Sequence, residues 1–366
     1  MNPLKVAIVH YWLLNMRGGE KVLEALCEMF PGAQIFTHVY DPRAISGSIA
    51  EHQVRTTFIQ KLPLACKLYK KYLPLMPLAL EQLDLTGYDL VISCESGPAK
   101  GVITHPAALH VCYCHTPMRY LWDQYHFYRA NAGWITRWLM PVLLHRLRIW
   151  DVTSAARVDH FVANSTAVVS RVRKFYRREA VCIHPPCDVE SFAPSSDRGD
   201  FYLYVGQLVA YKRVDLAIEA FNALGKPLVI IGDGEELGRL KKMAGPSISF
   251  LGRASFESLK LHYARCRALV FPGEEDFGIV PVEAMASGRP VIAFGKGGAL
   301  DTVIDGQTGI LFEAPTAQAL IQAIARFEAN ESLFNPQALV DHARKFSKEV
   351  FMQRLSGQID QWLAGS

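Results

Sequence analysis

The chain has 366 residues, half of them hydrophobic and a fifth charged, with 26 Gly and 20 Pro. That composition excludes disordered, collagen-like and low-complexity classes, and the length predicts two domains of roughly 100–200 residues each. The net charge of +4 is unevenly divided: residues 1–190 carry 21 Lys+Arg against 15 Asp+Glu, and residues 191–366 carry 18 against 20. Such a bias is too mild for a dedicated nucleic-acid binder, but it predicts an anionic surface or ligand near the first half. The eight cysteines form no C-x-x-C pair and no paired framework, so they read as reduced, mainly core thiols of a cytosolic protein.

In chain order, KVAIVHY (5–11) reads as a first strand, because the surrounding stretch lacks the small-residue cleavage site of a signal peptide. Arg17-Gly18-Gly19-Glu20 follows and opens a helix through Val22, Leu23, Leu26 and Phe30. Two glycines there either let the backbone approach an anion at the helix N-terminus or simply make a tight turn. KLPLACKLYKKYLPLM (61–76) then places Leu64, Leu68, Tyr72 and Leu75 on one helical face, flanked by Lys67, Lys70 and Lys71. A helix of that kind either lies on an anionic membrane surface or packs on a partner or the core with its lysines solvated.

DLVISC (89–94), LHVCYC (109–114), HFVAN (160–164) and AVCIH (180–184) are short runs of continuous apolarity. They predict strands buried on both faces, hence a parallel sheet covered by helices. His115 stands at the exit of the second of these runs, where ligands of open α/β sheets bind; His10 occupies a comparable exit and is its rival. Between the strands, residues 134–150 hold three tryptophans with Arg137, Arg146 and Arg148. Arg146 falls opposite Arg137 on a helical wheel, so this segment is not cleanly amphipathic. The apolar run from Trp138 to Leu144 is seven residues, far short of the roughly 20 that span a bilayer.

After Pro185-Pro186 and the polar stretch PSSDRGD (194–200), the rhythm restarts. FYLYVG (201–206), PLVIIGDG (227–234), ISFLG (248–252), ALVFPG (268–273), PVIAF (290–294) and TGILF (308–312) alternate with helical stretches. Two βαβ arrays joined by one polar linker predict an α/β protein of two Rossmann-like domains, with mainly parallel sheets facing a cleft. In GQLVAYKRVDLAIEAF (206–221), Lys212 and Arg213 sit at the start of a helix, where cations oppose the helix dipole unless an anion neutralises them. A phosphate clamp at Lys212 explains that placement better than a solvated lysine.

PGEEDFGIVPVEAMASGRPVIAF (272–294) is the most specific segment. Glu275 and Glu283 stand eight apart and bracket Phe277-Gly278 and a helix with Pro281 in its first turn. The amides of Phe277, Gly278, Ile279 and Val280 can hold a diphosphate at the helix N-terminus. Glu283 can accept from ribose hydroxyls and Glu275 from a sugar ring, since carboxylates present acceptors only. The glycine clusters GDG (232–234) and GKGG (295–298) extend this set of open, polar strand exits. No His/Cys/Asp/Glu cluster has metal spacing and no D-x-D lies between strands, so no metal cofactor is expected. The last segment, about 332–364, is helical by the spacing of Phe346, Val350, Leu355, Ile359 and Leu363.

VGQLVAYKRVDLAIEAF together with EDFGIVPVEAMASGRPVIA resembles the retaining family 4 (GT4) of GT-B-fold glycosyltransferases. YCHTPMRYLWD (113–123) and IHPPCDVESF (183–192) are similar to its bacterial mannosyltransferase-like subgroup of polysaccharide and lipopolysaccharide assembly. The resemblance implies an N-terminal acceptor-binding domain of residues 1–188 plus a crossover helix 345–366, and a C-terminal nucleotide-sugar domain of residues 189–344. It implies a metal-independent hexosyltransferase that uses GDP-mannose and acts on a lipid-linked saccharide at the inner face of the cell membrane. Gly18 and Gly19 would border the donor phosphate, and His115 would lie against the transferred sugar near its C6 hydroxyl. Lys212 would bind the diphosphate with the amides of residues 277–280, Glu275 the sugar and Glu283 the ribose. Family members commonly carry Arg where this chain has Gln207, so one cation is missing; either Arg213 compensates or transfer is slower. A UDP-sugar donor and a non-catalytic sugar-nucleotide-binding protein are the alternatives. A nicotinamide dehydrogenase is disfavoured by the missing G-x-G-x-x-G.

Overall fold

The computed structural model describes residues 4–365. The chain divides into two compact units, one made of residues up to 185 together with those from 351 onward, the other of residues 186–350.

The first unit is built on seven strands: β1 (Val6–His10), β2 (Gln34–Thr37), β3 (Val54–Thr56), β4 (Leu90–Glu95), β5 (Leu109–Cys114), β6 (His160–Ala163) and β7 (Ala180–Cys182). Their order is β3-β2-β1-β4-β5-β6-β7, and every pairing is parallel. Every residue of β1, β4 and β5 is buried, as continuous apolarity requires of a central strand. The sequence pattern missed β2 and β3, which are four and three residues long. Val-Arg-Thr of β3 is an edge strand without a fully buried residue, so it carries too little apolarity to register. From Phe351 onward, the closing helix Lys348–Ala364 belongs to this unit. It buries Phe351, Leu355 and Ile359 in one cluster with Ile8, Leu26, Ile92 and Tyr113. Each such side chain contributes about 1.5–3 kcal/mol, which holds the chain end in place.

The second unit has six strands: β8 (Tyr202–Val205), β9 (Leu228–Ile231), β10 (Ile248–Gly252), β11 (Leu269–Phe271), β12 (Val291–Phe294) and β13 (Gly309–Phe312). They run in the order β10-β9-β8-β11-β12-β13, all parallel. The helix Val214–Leu224 buries Leu216, Ala217, Ile218, Ala220 and Phe221 at helical spacing against this sheet. Both units are therefore doubly wound parallel sheets. In each, the strand order reverses once, between β1 and β4 and between β8 and β11, and loops leaving such a switch point diverge to leave a binding crevice.

Residues 61–76 do not form the single amphipathic helix that their pattern suggests. Leu64 adopts φ +52°, a four-residue helix Ala65–Leu68 follows, and residues Tyr69–Leu75 wind as a 3-10 helix containing Pro74. Proline removes a backbone donor, and three residues per turn align Tyr69, Tyr72 and Leu75 rather than Leu64, Leu68, Tyr72 and Leu75. Lys67, Lys70 and Lys71 are nonetheless exposed. All eight cysteines are free; Cys66 is exposed, Cys182 half-buried and the rest buried. Among the described residues, no helix is long and apolar enough to cross a membrane.

Candidate functional site

In the second unit, the chain leaves β8 through Gly206, whose φ of +155° suits glycine, and through the exposed Gln207. It then turns through the 3-10 segment Ala210–Lys212 before the helix Val214–Leu224. Lys212 thus stands just ahead of the helix rather than in its first turn, and its counterion is a carboxylate of the same chain. Lys212 Nζ lies 2.8 Å from Glu275 Oε1, with the two side chains 13% and 20% exposed. Gly273 allows this approach: a Cβ there would come within 2.7 Å of Lys212 Cα. The β11 exit loop is thereby pressed onto the Lys212 turn. Arg213, at φ +52°, donates from Nε to Asp215 Oδ1 at 3.2 Å and so answers the first turn of its own helix. Burial, with the Glu275 charge adding to it, pushes the Tyr204 phenol well up, which leaves a neutral hydroxyl donating to Gln207 O at 3.4 Å.

The helix Ile279–Ala286 starts from Gly278, whose φ of +86° a β-carbon would strain. The amides of Gly278, Ile279 and Val280 have no acceptor among the described residues, as expected of a first helical turn, and Pro281 has no N–H to leave unpaired. Glu283 sits one turn in. Its Oε2 accepts from Tyr263 Oη at 2.7 Å. Burial raises its carboxyl above the ordinary value, and Asp188 adds repulsion against the opposing effect of the Tyr263 bond. The glycine clusters have a different role from the one their sequence suggests. Cβ atoms at Gly297 and Gly298 would collide with the Glu275–Phe277 backbone, and those at Gly232 and Gly234 with Gly206 and Leu208. These glycines pack loop on loop. They support the site rather than open it.

In the first unit, His115 follows β5 and donates its backbone N–H to Glu95 O at 2.8 Å. Its ring meets Tyr113 edge-on at 5.1 Å and Tyr11 at 6.4 Å. Nε2 is buried without a hydrogen-bond partner among the described residues. Burial, reinforced by His10 and opposed by Glu20, lowers the His115 pKa to about 3, so the imidazole is neutral. His10 is only 1% exposed, stacked on Tyr11 at 4.2 Å, with Nε2 3.6 Å from Glu20 Oε1. His115 is half-buried as a residue, although its Nε2 is covered, whereas His10 is sealed, so His115 is the more open of the two. Gly18 and Gly19 open the helix Gly18–Met29, where Glu20 caps the Arg17 N–H at 2.9 Å. A Cβ at Gly19 would strike the Tyr11 hydroxyl and lie 3.7 Å from His115 Nε2, so the Gly-Gly turn is brought beside that nitrogen. Tyr11 leads on through Trp12 (ring centroids 4.7 Å) to Tyr69 (4.8 Å), next to the exposed Lys70 and Lys71.

Sequence reasoning missed Tyr11, Tyr204 and Tyr263. Each is a buried aromatic at or near a strand or helix end and reads as core. Among the described residues, no group of three or more His, Cys, Asp or Glu could hold a metal ion.

Residues 188–349 match the family model described as glycosyl transferases group 1, and residues 16–191 match that of glycosyltransferase family 4. A GDP-mannose-dependent alpha-(1-6)-phosphatidylinositol monomannoside mannosyltransferase of Mycolicibacterium smegmatis is 30% identical over 53% of this chain and 57% of its own length. An alpha-1,3/1,6-mannosyltransferase of Schizosaccharomyces pombe is 24% identical over 95% of this chain and 81% of its own length. The chain thus spans little more than half of the first of these. Among solved structures, sucrose-phosphate synthase from Thermosynechococcus elongatus superposes with a TM-score of 0.75 at 19% identity, covering 99% of this chain and 100% of that one. HepE of Anabaena in complex with UDP gives 0.69 at 17% identity, covering 98% and 100%. These likenesses share the architecture of two parallel sheets, and with the two consecutive family matches they place the chain in family 4 of the GT-B-fold glycosyltransferases.

Proposed function

We propose that the protein transfers a hexose, mannose from GDP-mannose, with retention of configuration and without a metal, to a lipid-linked saccharide in cell-surface polysaccharide synthesis. The observation that carries this reading is the Lys212–Glu275 pair beside the unpaired amides of Gly278, Ile279 and Val280. A diphosphate displaces Glu275 from Lys212 and takes the amides as further donors, because phosphate accepts charge-assisted hydrogen bonds in the same way as a carboxylate. Glu275, released, accepts from sugar hydroxyls. Glu283 keeps one oxygen on Tyr263, which fixes its rotamer, and turns the other to the ribose. In the first unit, the neutral His115 supplies one unpaired ring nitrogen to the transferred sugar, beside the close-approach turn at Gly18 and Gly19.

The acceptor hydroxyl attacks the same face that the diphosphate leaves, and a departing phosphate oxygen takes its proton. Stabilising the leaving diphosphate is the main task of the chain. One lost donor at such a site costs about 2.7–4 kcal/mol of transition-state stabilisation. The mannosyltransferase relatives support mannose and GDP; the UDP held by HepE supports a second reading in which the donor is a UDP-sugar.

Thermal unfolding with GDP, UDP or ADP, followed by transfer assays with GDP-mannose and UDP-glucose, tests both. A ligand at 100 times its Kd stabilises by about 2.7 kcal/mol. Protection by GDP with turnover of GDP-mannose is expected. Protection by UDP alone selects the second reading, protection without turnover marks a binding protein, and no protection by any nucleotide ends the proposal.

A further inference from the structure

The helix Trp134–Ala155 buries Leu144, Leu147, Asp151, Ser154 and Ala155, all from its midpoint onward. Its first two turns are exposed on every side, with Trp134 77% and Trp138 80% exposed, next to Ile135, Leu139 and Val142. The short helix Tyr125–Ala130 adds exposed Phe127. This tip is folded rather than loose: Arg137 donates to Ala130 O at 2.6 Å, which ties the two helices together. Contiguous exposed apolar surface of this kind marks an interaction site.

Charge selects the occupant. Residues 124–150 contain Arg129, Arg137, Arg146 and Arg148 and no Asp or Glu. Residues 52–80 contain Arg55, Lys61, Lys67, Lys70 and Lys71, again with no acid. The two segments are neighbours, because Leu73 packs against the cluster of Met118, Leu121, Leu144 and Leu147 at the root of the long helix. A second copy pressed onto this surface would bring cations mainly against cations, since the flanking acids Glu81 and Asp123 are already paired with Arg157 and Arg119. A bilayer with anionic headgroups offers both an apolar interior and negative charge, and tryptophan prefers that boundary.

We propose that the tip of helices Tyr125–Ala130 and Trp134–Ala155 inserts into the interface of an anionic bilayer, with Trp134 and Trp138 as anchors and Lys67, Lys70 and Lys71 on the headgroups. The choice of a lipid surface rests on the lipid-linked acceptor of the proposed function and gives that acceptor a place to be met. The helix lies in the interface and does not cross, consistent with its mixed polarity.

The test uses the full chain with vesicles of phosphatidylcholine alone and of equimolar phosphatidylcholine and phosphatidylglycerol. Co-sedimentation at low salt is read together with tryptophan quenching by brominated lipid. Binding to the anionic vesicles only is expected, with quenching that disappears in the W134S/W138S variant. Partitioning falls about tenfold or more in that variant and about a hundredfold in K67E/K70E/K71E, while thermal midpoint and nucleotide protection stay at wild-type values. Absence of binding by the wild-type protein, or unchanged binding by W134S/W138S, overturns the proposal. So does a wild-type dimer in sedimentation that W134S/W138S makes monomeric, since a second copy would then cover the tip. Vesicle binding without transfer of any sugar sinks the transferase reading and leaves this surface standing.

Discussion

Each unit holds a lysine against carboxylates, and the two arrangements differ in what they leave open. Lys100, in the first unit, is fully buried, with Nζ 3.0 Å from Glu95 Oε1 and in contact with Asp151. Asp151 also accepts from Trp122 Nε1 at 2.8 Å and Tyr176 Oη at 3.1 Å, and Glu95 accepts the Ala99 and Lys100 amides at 2.9 Å each. Burial alone would depress the Lys100 ammonium, but Asp151 and Glu95 more than offset it. Lys212, in the second unit, has one carboxylate, partial exposure and unpaired amides nearby. A charge whose partners are all inside the fold is architecture, whereas a charge with one partly exposed partner is one for which a ligand can compete, as the proposed function requires of Lys212.

The largest effect expected from this contrast is on stability. Lys100→Met strands two buried carboxylates and destabilises the first unit by about 3–5 kcal/mol. Lys212→Met loses a partly exposed pair and costs less than about 1 kcal/mol. All six tryptophans lie in the first unit, so tryptophan fluorescence in a denaturant titration follows Lys100→Met, while scanning calorimetry, which reads both units, follows Lys212→Met. Equal destabilisation by the two variants would erase the distinction.

Activity should reverse the ranking. Lys212→Ala and Glu275→Ala are each expected to lower transfer by about a hundred- to a thousandfold while the unfolding midpoint moves little. Near-normal turnover in either variant would remove these residues from the site.

A further stability effect separates the units by pH. In the first, His38, His110 and His115 are held neutral, with burial the main cause, at about 4, 4 and 3. The unfolded chain binds protons at these residues from the ordinary value of about 6.5. Their contribution is therefore complete above that value and lost as pH falls towards 4, at no more than about 1.4 kcal/mol per pH unit for each. In the second unit, Glu283 is shifted upward, so its own contribution grows as pH falls. Fluorescence-detected unfolding at pH 7 and pH 5 should show a lower midpoint at pH 5; a flat profile would mean that these histidines titrate normally.

Much of this was legible in the chain itself. Strands buried on both faces announce themselves as unbroken apolar runs, which is why β1, β4 and β5 were plain and the three-residue edge strand β3 was not. Glu275, Glu283 and Lys212 stood out because a helix start with those residue types has few other uses. The Lys100 network stayed hidden, since Asp151 is distant from Glu95 and Lys100 in sequence and isolated charges there read as solvated. Residues 61–76 misled for a local reason: side-chain periodicity was clear, but Pro74 and the left-handed Leu64 decide the backbone. The GKGG cluster misled for the opposite one, as glycine that admits a ligand and glycine that admits another loop look alike until the neighbouring backbone is in place.

The smallest predicted effect bears on the open side of the comparison. Gln207 is exposed one residue after Gly206, where a Cβ would lie 3.4 Å from Lys212 Nζ, so an arginine at 207 would bring a second cation to the pair. If the leaving diphosphate is under-neutralised, Gln207→Arg raises transfer about fivefold, equivalent to roughly 1 kcal/mol, and steepens its salt dependence. Arg213 is the other claimant to that role, but its guanidinium is engaged with Asp215. Arg213→Ala should therefore leave wild-type transfer within about twofold. A large loss in Arg213→Ala that Gln207→Arg restores would show instead that Arg213 leaves Asp215 for the diphosphate, and that the second unit's site is rebuilt by its ligand rather than waiting for it.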